Sequence, residues 1–133
     1  MSFFRFPKKE RLCGQIRINR LYESGQHFTV YPLRITYDIS AQGQDTAPTS
    51  RHPEVLVWAS KRYFKHAVVR NRLKRQMREA YRLHSQPLKE ACEQKNIHMQ
   101  IAINYIAKEI LPYQAIEHAT EKAIVKIGVR NQE

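Results

Sequence analysis

Residues Lys61 to Arg82 read KRYFKHAVVRNRLKRQMREAYR, and no other window of this length in the chain is so one-sided: nine Lys/Arg stand against one carboxylate, Glu79. Val69, Leu73, Met77 and Ala80 recur at three- and four-residue steps, the spacing that lines up side chains on one face of a helix, and Tyr81 sits at the edge of that face. Advancing by about 100° per residue gathers Asn71, Lys74, Arg75, Arg78 and Arg82 on another face. Arg70 and Arg72 flank the stripe on either side of Asn71. The window predicts a helix from about Phe64 to His84, with one side for a core and the other for a polyanion.

Like charges four residues apart on a helix repel by a few tenths of a kcal/mol per pair. Lys74/Arg78 and Arg78/Arg82 are such pairs, and only Arg75/Glu79 offers relief. A merely solvated helix face usually mixes signs. A stripe of one sign is better explained if a phosphate backbone supplies the missing charge. A solvated basic face is the competing reading.

Ser60-Lys61-Arg62, then Lys65, then Ala67-Val68-Val69-Arg70-Asn71-Arg72-Leu73-Lys74-Arg75, then Arg78-Glu79-Ala80 resembles the signature of the bacterial ribonuclease P protein subunit, whose hallmark is an Arg-Asn-Arg run inside a basic helix. Weaker similarity reaches back to Lys8-Lys9-Glu10-Arg11-Leu12 and Gly25, and forward to the C-terminal helix. The resemblance implies that the enzyme's catalyst is an RNA subunit which, with Mg²⁺, cuts precursor tRNA to make the mature 5′ end. The protein subunit supports that RNA and helps hold the 5′ leader. It also implies a fold like domain 2 of ribosomal protein S5, with a strand-helix-strand unit around the basic helix that crosses in the left-handed sense, against the usual preference. In the resembling family two aromatic residues of the first helix border a cleft for single-stranded RNA, and their positions here are Ile18 and Tyr22. An aliphatic Ile18 cannot stack on a base as a ring does. For Tyr22, stacking and plain core packing both stand open.

Outward from this window, a chain of 133 residues suffices for one domain with a modest core. The net charge of +11 directs attention to nucleic acid or another anionic surface. No apolar run approaches the roughly 18 residues of a membrane span, and no signal-peptide pattern opens the chain. Cys13 and Cys92 fit neither a disulfide framework nor a zinc site, and read as free thiols of a reducing cytoplasm.

Residues 1–10 read as a basic tail whose Phe3, Phe4 and Phe6 would either dock on the domain or stack on a base. Gln15 to Ser24 reads as a short helix with Ile18, Leu21 and Tyr22 on one face and Gly25 as its stop. Phe28 to Ile39 alternates as a half-buried strand, Leu33, Ile35, Tyr37 and Ile39 on one side, with Pro32 confined to an edge or to the strand's start. Residues 40–53, polar and rich in Gly, Pro, Ser and Thr, form a long flexible connection. Glu54 to Ser60 is apolar on both faces and reads as a central strand. Leu88 to Gln94 is a weaker helical piece, Ile97 to Asn104 another alternating strand, and Pro112 opens a last helix with Ile116, Ala119, Ala123, Ile124 and Ile127 as its buried stripe. The expected order is α-β-β-α-β-α, with one more short strand possible near Ile106. It is an α+β fold, a single sheet of about four strands packed with three helices.

A protein nuclease acting through Mg²⁺ clusters its carboxylates. Only two aspartates exist, Asp38 and Asp45, both in or beside the flexible connection, and the glutamates are scattered along helices. The six histidines show no pairing, and His66 and His84 border the apolar side of the basic helix as packing residues. No catalytic or metal-ligating residue and no cofactor held by the protein is expected; Mg²⁺ is expected with the RNA. The candidate RNA-binding residues are Lys61, Arg62, Lys65, Arg70, Asn71, Arg72, Lys74, Arg75, Arg78 and Arg82. Arg70 and Arg72 have the fork that grips phosphate oxygens bidentately, and Asn71 can both donate and accept, toward a 2′-OH or a neighbouring Arg. A cleft between helix and sheet, bordered by Tyr22, Ile18 and Tyr37, would take an unpaired leader. The expected partners are ribonuclease P RNA and precursor tRNA, with the protein monomeric within the complex. A ribosomal or other structural RNA-binding protein is the alternative. A DNA-binding helix is a third, opposed by the lack of a helix-turn-helix partner before the basic helix.

Overall fold

The computed structural model describes residues 15–41, 53–95 and 97–132. The tail, Cys13, Asp45 and most of the 40–53 connection lie outside them. In chain order the elements are α1 (Gln15–Ser24), β1 (Gln26–Val30), β2 (Leu33–Ala41), β3 (Glu54–Ala59), α2 (Ala67–His84), α3 (Gln86–Lys95), β4 (Ile97–Tyr105) and α4 (Tyr113–Gln132). The sheet runs β1-β2-β4-β3; β3 and β4 are parallel and joined through α2 and α3, and the other neighbours are antiparallel.

One sheet face carries Phe28, Leu33, Ile35, Tyr37, Val55, Val57, Ala59, Met99, Ile101 and Ile103 into the main core. Against it pack Leu73, Met77, Ala80 and Tyr81 of α2, Leu88 and Cys92 of α3, and the expected stripe of α4, Ile116, Ala119, Ala123, Ile124 and Ile127. Burying a large apolar side chain is worth about 1.5–3 kcal/mol. Leu73, Met77 and Tyr81, each no more than 1% exposed, therefore fix the rotation of α2 and turn its charged flank outward. On the opposite sheet face, among the described residues, α1 alone packs, through Leu21 against Ala102, with Ile18, Tyr22 and Leu56 around them. Gly25 ends α1 in a confined spot: its N–H donates to the Leu21 carbonyl at 2.8 Å, and a Cβ there would lie 2.5 Å from that same oxygen and 2.9 Å from the Tyr37 carbonyl oxygen.

Several expectations are corrected. Phe28 to Ile39 is a hairpin, not one strand. The chain folds back at Tyr31–Pro32, whose peptide is cis, and Val30 pairs with Leu33. The two-residue turn brings even-numbered Phe28 and odd-numbered Ile35 onto the same face, which a continuous strand would not. Glu54–Ala59 is an edge strand, because β4 is its sole neighbour among the described residues. It looks doubly apolar because Val55 and Val57 face the main core while Leu56 meets α1. The basic helix begins at Ala67; Phe64, buried, turns into the core and meets the Tyr105 ring edge-on at 5.7 Å. Among the described residues the helices number four, since Gln86–Lys95 is a full helix, with Pro87 in its first turn where a missing N–H costs nothing. No strand forms at Ile106, whose N–H donates to the Pro32 carbonyl at 2.9 Å.

Candidate nucleic-acid interface

Two adjoining surfaces carry the candidate residues. The first is the outer flank of α2 with the turn before it. Asn71, Arg72, Arg75 and Arg82 are exposed, Lys74, Arg78 and Arg70 half-buried, and Lys61, Arg62 and Lys65 exposed on the preceding turn. That turn is held from both ends. The Arg62 N–H donates to Ser60 Oγ at 3.0 Å, and the Phe64 N–H to the Ser60 carbonyl at 3.1 Å. Arg70 Nη1 donates to the carbonyls of Phe64 at 2.8 Å and Lys65 at 2.9 Å. Arg70 is thus a positioning residue first. His66, at the N-cap of α2, makes no side-chain cap, and the first turn carries no acidic residue, so the positive end of the helix dipole adds to the cationic surface.

Not all of the stripe is equally available. Arg82 lies against Glu79, Nη2 to Oε1 at 2.8 Å and Nε to Oε2 at 3.2 Å. This hydrogen bond holds the guanidinium above its already high ordinary pKa. The expected relief partner was Arg75, but Glu79 turns to Arg82. Arg72 and Arg75, both exposed, are the better placed of the sequence candidates.

The second surface is the α1 side of the sheet, and register divides it into three rows. Glu54, Gln100 and Asp38 stand opposite one another across β3, β4 and β2; then Leu56, Ala102 and Thr36; then Trp58, Asn104 and Arg34. The first row is acidic and burial raises the Asp38 pKa; Glu54 Oε1 lies 2.7 Å from His98 Nε2, both side chains 5% exposed. The middle row lies under α1. The last row is open: Trp58 is 53% exposed, Arg34 exposed and Asn104 half-buried. α1 adds Tyr22, whose hydroxyl donates to Asn104 Oδ1 at 3.2 Å. α2 adds Lys74, whose Nζ stands 5.5 Å from the Trp58 ring centroid. The face is therefore electrically polarised, and a polyanion is favoured at its Arg34–Trp58 end.

Of the cleft candidates, Tyr22 borders this open row and Ile18 packs beside it. Tyr37 does not: it is 2% exposed on the other face, its ring edge-on to Phe28 at 5.9 Å and its hydroxyl donating to Gln26 Oε1 at 2.9 Å. Its strand parity assigns it to the core. Trp58, Asn104 and Arg34 were missed. The available signal was parity again, since Trp58 alternates with buried Val57 and Ala59. Of the packing histidines, His66 is exposed, because the helix begins just after it; His84 is half-buried, its Nε2 3.3 Å from Glu117 Oε2. Asp38 lies within β2, close before the connection it was expected to adjoin. Among the described residues no group of three or more His, Cys, Asp or Glu converges to hold a metal, and no helix is long and apolar enough to cross a membrane.

The model of the Ribonuclease P family matches residues 6–128. The ribonuclease P protein component of Porphyromonas gingivalis is 33% identical over 125 residues, covering 94% of this chain and 88% of that one. The component of Chlorobium phaeobacteroides is 36% identical over 106 residues, 74% of this chain and 66% of that one. The fold is similar to the Staphylococcus aureus RNase P protein, with a TM-score of 0.62 at 18% identity over 89% of this chain and 94% of that one. It is also similar to the Thermotoga maritima protein, at 0.62 and 14% over 88% and 96%. With nearly the whole sequence matched and the basic helix, sheet order and flanking helices in place, the chain belongs to the ribonuclease P protein family.

Proposed function

We propose that this chain is the RNA-binding, non-catalytic subunit of a ribonuclease P ribonucleoprotein of the cytoplasm. It docks on ribonuclease P RNA through the outer flank of α2, and takes the unpaired 5′ leader of precursor tRNA along the open row beside α1. The observation that carries the reading is the exposed set Asn71, Arg72 and Arg75 on a helix whose opposite flank is locked into the core, continued by Lys61, Arg62 and Lys65 on the turn before it. Phosphate contacts by Lys and Arg supply sequence-independent affinity, which suits a partner recognised by shape. Arg72 offers the bidentate fork, and Asn71 beside it the donor-acceptor pair suited to a 2′-OH. Any Mg²⁺ the cleavage needs is assigned to RNA oxygens, and no chemical step is assigned to a side chain of the protein.

The test is reconstitution. At low Mg²⁺ the protein with its host's ribonuclease P RNA cuts precursor tRNA at the mature 5′ end, and the protein alone does not. Cleavage by the RNA that is unaffected by added protein, together with co-sedimentation of the chain with ribosomes, would instead favour a ribosomal protein.

A further inference from the structure

We propose that Trp58 and Lys74, with Asn104 beside them, form a subsite for one unpaired nucleotide, the indole stacking on its base and the ammonium meeting its phosphate. The inference rests on the leader-groove reading above and assigns that groove its stacking residue.

Trp58 is the chain's single tryptophan. It lies on an edge strand, alternating with Val57 and Ala59, which are buried on the other face. Its same-face neighbour Leu56 packs on α1, while Trp58 lies one row farther along and keeps 53% of its surface in solvent. A large ring on a sheet face, outside both apolar clusters, contributes little to the core and keeps a π-surface ready for a partner. Lys74 comes from a different element, with its Nζ 5.5 Å from the ring centroid. An aromatic ring with a cation over it supplies the two groups a nucleotide needs, since its base stacks on aromatic rings whatever its identity and its phosphate pairs with an ammonium. The exposed cation Arg34 lies in the same row two strands away. Tyr22 engages the Asn104 carbonyl oxygen, so the amide NH₂ keeps donors for a base edge. With a net charge of +11 and a row carrying no carboxylate, an anionic strand is the occupant favoured over an apolar peptide.

The single tryptophan makes the site directly readable. The holoenzyme assembled with ribonuclease P RNA is titrated with precursor tRNA bearing a long unpaired leader and, separately, with tRNA trimmed of it. Tryptophan fluorescence and affinity are both recorded. The leader-bearing substrate quenches fluorescence and the trimmed one does not. Trp58→Ala lowers the ratio of the two affinities by roughly 5- to 150-fold, the range for losing one stacked base, and Trp58→Phe, which keeps a ring and the fold, lowers it less. An unaltered ratio in both variants, or silent fluorescence while the leader still strengthens binding, overturns the stacking assignment and leaves the proposed function standing. If the wild-type protein itself shows no affinity gain from the leader, the groove reading fails and this inference fails with it.

Discussion

Arg70 holds the chain that precedes its own helix: one guanidinium nitrogen donates to the carbonyl oxygens of both Phe64 and Lys65, at 2.8 and 2.9 Å. The first arginine of the Arg-Asn-Arg run therefore shapes the turn that presents Lys61, Arg62 and Lys65. Removing it leaves two carbonyls without their charged donor, and hydrogen bonds to a charged group contribute about 1.5–3 kcal/mol. Arg70→Ala should lower the melting temperature as well as RNA affinity. Arg70→Lys, lacking the fork, should restore only part of the stability. A thermal scan beside a binding titration separates the two effects, and an unchanged melting temperature would release Arg70 from this positioning role.

Arg72 and Arg75 should behave differently. Both are exposed, so alanine at either position should barely affect stability. Each lost phosphate contact should reduce the slope of log affinity for ribonuclease P RNA against log salt by about one. Arg82, lying against Glu79, should give a smaller change in slope, because a surface pair i,i+3 already offsets part of its charge. Equal slopes for all three variants would contradict this ranking.

The Tyr22 hydroxyl bond to Asn104 ties α1 to the sheet at the edge of the open row. Tyr22→Phe keeps the ring and removes the bond, at a cost of about 0.5–1.5 kcal/mol, and frees the Asn104 amide to rotate. Denaturant unfolding gives the first quantity. Tyr22→Ala should also weaken binding of long-leader precursor more than of trimmed tRNA; a loss that is equal for both would take Tyr22 out of the groove.

Gly25 admits no side chain without movement, since a Cβ would meet two backbone oxygens, the nearer at 2.5 Å. Gly25→Ala should destabilise by about 1–3 kcal/mol, the usual cost of overpacking, and loosen α1 against β2. Chemical denaturation with an unchanged midpoint would show that the α1 terminus adjusts freely.

Burial pushes the Cys92 thiol up to about 11 from the ordinary 9.0. The folded form therefore stays protonated where the unfolded chain ionises. Between pH 9 and about 11 the unfolded state binds fewer protons, so this group's contribution to stability falls by about 1.4 kcal/mol per pH unit. Below pH 9 the contribution is complete. Cys92→Ala should be less stable at pH 7 through the cavity it leaves, yet lose stability less steeply than the parent across the alkaline window. Parallel stability curves for the two proteins would refute the assignment.

The sequence alone settled whatever depends on local periodicity. The rotation of α2 follows from Leu73, Met77 and Ala80, because a helix buries a stripe that the chain itself spells out. The stripe of α4, the end of α1 at Gly25, the α+β class and the family were legible on the same terms. Tertiary structure decided what depends on a partner brought from elsewhere in the chain. Strand parity cannot be carried past a turn until the turn is located, and so Phe28 joins the face of Ile35 and Tyr37 only across a two-residue fold-back. Whether an arginine faces RNA or a neighbour is equally undetermined by helical spacing: Glu79 had Arg75 and Arg82 both within reach, and packing settled on Arg82. The open row of Trp58, Asn104 and Arg34 exists only because three strands distant in sequence fall into register, a juxtaposition no single stretch of the chain encodes.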